Sequence, residues 1–145
     1  MAIQRMDHVG IVVEDLAAAI GFFVELGLEV EGEGSVEGEL VDRIVGLEGV
    51  RTDIAMLRTP DGVRRLELVK FQAPPAVEED PAAPANTTGL RHICFAVDDV
   101  EDVVARLRGR GAELVGKVET YGEIYKLCYV RGPAGIIVEL AEPLG

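Results

Sequence analysis

Residues 6–32, MDHVGIVVEDLAAAIGFFVELGLEVEG, lie without a gap on residues 90–116, LRHICFAVDDVEDVVARLRGRGAELVG, at an offset of 84 positions. His8 falls on His92, Val13 on Val97, Asp15 on Asp99, Gly27 on Gly111, Glu29 on Glu113 and Gly32 on Gly116. An internal repeat fixes the unit of which a fold is built. Each copy opens on an apolar, β-rich run, residues 8–13 and 92–97, which predicts a strand. Asp15 and Asp99 follow as N-caps, whose carboxylates accept from the unpaired N–H groups of a first helical turn. Leu16, Ile20 and Phe23, and Val100, Val104 and Leu107, recur at helical spacing. Gly27 and Gly111 fall where a left-handed residue ends each helix. A second strand is expected at residues 28–31 and 112–115.

Two more strands complete each copy. In the first, residues 53–58 and 65–71 flank Pro60-Asp61-Gly62; in the second, residues 126–131 and 136–140 flank Gly132-Pro133-Ala134-Gly135. Both are hairpin signals. Each copy therefore reads β-α-β-β-β, and the fold class is α+β. Residues 1–72 form the first module and residues 89–145 the second. Residues 73–88 hold Pro74, Pro75, Pro81 and Pro84 together with Glu78-Glu79-Asp80, the composition of an extended linker. Residues 33–51 are an insert in the first module, in which residues 40–47 read as a short helix or an edge strand, the helix being preferred.

The chain has 145 residues, with 14 Lys and Arg against 26 Asp and Glu, a formal charge of −12. That balance excludes the clustered cations that phosphate contacts need, so no nucleic-acid partner is expected. It equally disfavours an anionic membrane surface. Apolar residues make up 48% of the chain, enough for a core, yet no run approaches the ~18 residues of a membrane span. The start, MAIQRMDHVG, has no signal-peptide pattern. Cys94 and Cys128 sit in strand-like contexts and read as reduced thiols of a cytoplasmic protein.

The chain's two histidines, His8 and His92, occupy equivalent positions of the repeat. The last strand of each module carries a carboxylate between apolar neighbours, in Leu66-Glu67-Leu68 and Val138-Glu139-Leu140. Glu139 follows Glu67 by 72 residues rather than 84, a difference that the insert absorbs. Strand parity puts His8, Gly10 and Val12 on one face, and His92, Cys94 and Ala96 on the equivalent one. A carboxylate on an enclosed face is costly unless a cation compensates it. Two imidazoles and two carboxylates make an N2O2 set for a divalent ion such as Zn, Ni, Co, Mn or Fe(II). Tyr121, Tyr125, Met56 and Arg58 are weaker candidates, better read as packing or edge residues. The acidic residues around Asp99 read as a helix start, and Gly132-Pro133-Ala134-Gly135 as a turn rather than a phosphate loop.

With these residues the chain resembles the vicinal oxygen chelate superfamily, the glyoxalase/bleomycin resistance/dioxygenase proteins. The resemblance is carried by MDHVGIVVEDLAAAIGFF, LELVKF, LRHICFAVDDVEDVVARL and YVRGPAGIIVELAEP. It implies paired βαβββ modules in a curved mixed sheet around a cavity, with metal ligands at His8, Glu67, His92 and Glu139. A four-ligand set that includes Glu67 is similar to the glyoxalase I and epimerase branches. The function so implied is a metal-dependent lyase or isomerase acting on a small substrate that chelates the ion through vicinal oxygens. Glu139, then Glu67, would move the proton by way of an enediolate or enolate. Two alternatives remain: an Fe(II) ring-cleaving dioxygenase using His8, His92 and Glu139, and a non-enzymatic protein that sequesters a small molecule. A homodimer is expected, with each site built within one chain or across two.

Overall fold

The computed structural model describes residues 2–145, in two compact units that divide between Glu78 and Glu79. The division falls inside the proline-rich segment. In the first unit, β1 (His8–Val12), α1 (Leu16–Leu26), β2 (Glu29–Glu37), α2 (Glu39–Val45), β3 (Arg51–Arg58) and β4 (Arg65–Ala73) follow in order. Their strands form one mixed sheet in the order β1-β4-β3-β2, with β1 parallel to β4 and the rest antiparallel. In the second unit, β5 (His92–Ala96), α3 (Val100–Arg108), β6 (Glu113–Leu114), β7 (Glu119–Tyr121), β8 (Tyr125–Arg131) and β9 (Ile137–Pro143) repeat the plan. The order there is β5-β9-β8-β6, with β7 also paired to β8. A parallel first and last strand joined through a helix is what the repeated β-α-β-β-β reading requires.

Both helices start as expected. Asp15 Oδ1 accepts from Ala18 N at 2.9 Å, and Asp99 Oδ1 from Asp102 N at 3.0 Å. The start of α3 has a second acceptor, since Glu142 Oε1 takes the N–H of Val100 at 2.8 Å. Gly27, at φ +127°, ends α1 as predicted. The end of α3 differs: the helix stops at Arg108, one further turn follows, and Gly111 at φ +86° then reverses the chain. The buried stripe of α1 also differs. Ala19, Phe22, Phe23 and Leu26 face the core, while Leu16 and Ile20 are half-buried. In α3, Val100, Val103, Val104 and Leu107 are buried.

Each helix covers one face of its own sheet. Ala55, Leu57, Leu66 and Leu68 lie beneath α1, and Cys128, Val130, Val138 and Leu140 beneath α3. Burying one such side chain contributes about 1.5–3 kcal/mol. The other sheet face is left to the candidate residues. The insert departs most from its reading: β2 runs on through Glu37 and only Glu39–Val45 is helical. Residues 30–37 pair along β3, so backbone pairing prevails over a Gly- and Glu-rich composition. Strand β7 was not foreseen. Among the described residues no helix is long and apolar enough to cross a membrane.

Candidate metal centre

One register places the candidate pair in both units. In the first, His8 lies beside Arg65 and Gly10 beside Glu67, so Glu67 stands two residues along β4 from the neighbour of His8. In the second, His92 lies beside Ile137 and Cys94 beside Glu139, the same diagonal. Period-two alternation keeps each Glu on the face of its His. A Cβ built at Gly10 would sit 3.9 Å from Glu67 Oε1, an ordinary contact that places this carboxylate over β1.

Within the first unit, His8 Nε2 lies 3.9 Å from Glu67 Oε2; within the second, His92 Nε2 lies 3.4 Å from Glu139 Oε1. The Glu67 and Glu139 side chains are 26% and 19% exposed, more enclosed than their histidines at 36% and 42%. Among the described residues no Lys or Arg pairs with either carboxylate. The nearby cations are engaged elsewhere. Arg65 holds Glu31 at 2.9 Å, Arg58 holds Glu29 at 3.3 Å, and Arg131 donates to the carbonyls of Ala83 and Gly135. Two enclosed carboxylates, each facing an imidazole nitrogen and lacking a protein cation, are chemically suited to a divalent ion. Each unit supplies two donors, and among the described residues no group of three or more His, Cys, Asp or Glu is assembled.

Three neighbours complete the surroundings, two of them not singled out in the sequence. Asp7 Oδ2 lies 2.9 Å from His8 Nδ1 and Asp7 Oδ1 3.1 Å from Arg5 Nη2. Those hydrogen bonds, that of His8 first, hold the Asp7 carboxyl below its usual range. Tyr129, opposite Glu139 across the β8–β9 ladder, holds its ring 5.1 Å from the His92 imidazole. The third is Cys94, which strand parity already puts on the face of His92: burial raises its thiol pKa, and the Glu139 charge and hydrogen bonding to Glu139 add to that. A thiol so held stays protonated beside Glu139. Tyr121 and Tyr125 are exposed, on the outer pairing of β7 with β8.

Comparison with known proteins gives the setting. The model of the glyoxalase/bleomycin resistance protein/dioxygenase superfamily matches residues 7–129. A glyoxalase family protein from Bacillus cereus is 48% identical, with a TM-score of 0.95 over 100% of this chain and 99% of its own. YaeR of Escherichia coli is 28% identical over 144 residues, 98% of each chain. TnmS3, an antibiotic binding protein from Streptomyces, has a TM-score of 0.63 at 23% identity, covering 99% of this chain and 98% of its own, a likeness of fold alone.

Proposed function

Because the chain belongs to the glyoxalase/bleomycin resistance protein/dioxygenase superfamily, we propose that it is a metal-dependent lyase or isomerase. Its substrate is a small molecule that offers two adjacent oxygens, such as a hydroxyketone or a thiohemiacetal. The observation that carries the proposal is the repeated diagonal of imidazole and uncompensated carboxylate, His8 with Glu67 and His92 with Glu139. Each pair brings one imidazole and one carboxylate, half of an N2O2 set for a divalent ion.

The ion supplies Lewis-acid polarisation of the two substrate oxygens. His8 and His92 bind through Nε2. Glu139 moves the proton of the neighbouring C–H, because it is the more enclosed carboxylate. Glu67 is the second carboxylate and shares the charge. A second reading, sequestration of a small molecule without reaction, is favoured by one feature. The sheet face that carries Glu67 runs on into Val12, Ile54, Val69 and Phe71.

Elemental mass spectrometry on untagged protein tests the proposal, beside a His8→Ala/His92→Ala double variant. The expected result is one divalent ion for each two His–Glu pairs, lost in the variant. Metal-loaded protein should exchange the C–H of an α-hydroxyketone with deuterated water. Glu139→Gln should slow this about 10²-fold or more while retaining the ion. Wild type that takes up none of Zn, Ni, Co, Mn or Fe(II) overturns the reading, and tight ligand binding to that metal-free protein establishes sequestration.

A further inference from the structure

We propose that Asp7 is a positioning residue, which fixes His8 as the Nδ1–H tautomer and so presents the Nε2 lone pair to the face of Glu67. An ionised carboxylate only accepts, so the ring nitrogen 2.9 Å from Asp7 Oδ2 is the one that carries the hydrogen. In the neutral ring the other nitrogen is then bare. It faces Glu67 Oε2 at 3.9 Å, too far for a hydrogen bond and open to a ligand between them. Arg5 holds the other oxygen of Asp7 at 3.1 Å, which turns Oδ2 towards the ring.

The second unit lacks this device. The residue before His92 is Arg91, whose guanidinium donates to the carbonyls of Thr87 and Thr88. His92 Nε2 instead lies 3.4 Å from Glu139 Oε1, and among the described residues no hydrogen bond fixes its tautomer. The two histidines, equivalent in the repeat, thus differ in readiness. His8 is held in the tautomer that binds, and His92 has no such hold. A carboxylate on the far nitrogen of a ligating histidine fixes its tautomer and ring orientation, and its loss typically costs 10–100-fold in metal affinity.

The inference rests on the proposed metal site for its consequence, but not for the tautomer, and the test separates the two. Ring nitrogens of metal-free, full-length protein are read by long-range proton–nitrogen NMR at about pH 9, where an ordinary imidazole is neutral. Wild type should show His8 protonated on Nδ1. Asp7→Ala should move that proton towards Nε2, and Asp7→Asn, whose amide oxygen still accepts, should keep it on Nδ1. Unchanged His92 signals in Asp7→Ala certify the fold. Zinc affinity should fall about tenfold or more in Asp7→Ala and stay near wild type in Asp7→Asn. A wild-type His8 protonated on Nε2 overturns the inference, as does an Asp7→Ala variant with tautomer or zinc affinity unchanged. Wild type that takes no zinc overturns the proposed function, and the tautomer then decides Asp7 alone.

Discussion

Tyr129 stands opposite Glu139 in the β8–β9 ladder and holds its ring 5.1 Å from the His92 imidazole, tilted by 33°. The contact limits the swing of a histidine that has no carboxylate on its far side. Tyr129→Phe keeps the ring and should leave zinc affinity within about twofold, whereas Tyr129→Ala should weaken it about tenfold. Chelator competition reads both. Equal losses in the two variants would assign the effect to the hydroxyl rather than the ring.

Glu67 and Glu139 are enclosed without a protein cation, so in metal-free protein their charge does not stabilise the fold. Metal-free Glu67→Gln and Glu139→Gln should therefore melt no lower than wild type. An ion that binds only the folded state adds about 2.7 kcal/mol at a hundredfold excess over Kd. Thermal scans with and without zinc should show that gain in wild type and a smaller one in either variant. A metal-free variant that melts well below wild type would make the carboxylate a structural residue instead.

The repeat made most of this legible. His8 and His92, and Glu67 and Glu139, stand at matched positions because each unit needs the same parallel strand pair, and matched chemistry is what a self-comparison detects. Tyr129 escaped it because the residue opposite Glu67 in the first unit is Met56, so the two copies share a position but not a chemistry. Asp7 escaped it likewise, with Arg91 at the repeat position. Strand β7 and the far half of β2 are exposed throughout, so no apolar alternation marks them, and only pairing to β8 and β3 makes them strands. The α1 stripe was displaced because Ala19, which carries little hydrophobic signal, is the residue in close contact with the sheet.

The turn before β9 should answer oppositely to two adjacent substitutions. Gly135 has φ +79°, and a Cβ there would come within 2.6 Å of Pro81 Cα. Gly135→Ala should cost about 2–4 kcal/mol, from backbone strain and from pushing the 79–84 segment away. Neighbouring Ala134 is exposed at φ 57°, a left-handed conformation that glycine adopts freely. Ala134→Gly should raise stability by about 1 kcal/mol. Urea unfolding gives both signs, and faster proteolysis near Pro81 in Gly135→Ala would locate the damage. A harmless Gly135→Ala would show that this segment yields without cost.

Cys128 gives the chain an alkaline limit. Its side chain lies under α3, 3% exposed, and burial pushes the thiol from the usual 9.0 up to about 11, helped by the Glu139 charge. The folded state therefore keeps this proton at a pH where the unfolded chain releases it. The stabilisation is complete below pH 9.0 and is lost as pH rises towards about 11. The full difference amounts to about 2.7 kcal/mol, of which about 2 kcal/mol is lost by about pH 10.5. Urea unfolding at about pH 8 and about pH 10.5 should show wild type losing about 2 kcal/mol more than Cys128→Ala, which has no thiol to titrate. Parallel losses in the two proteins would mean that the thiol reaches water without unfolding, and that α3 lifts from its sheet in alkali.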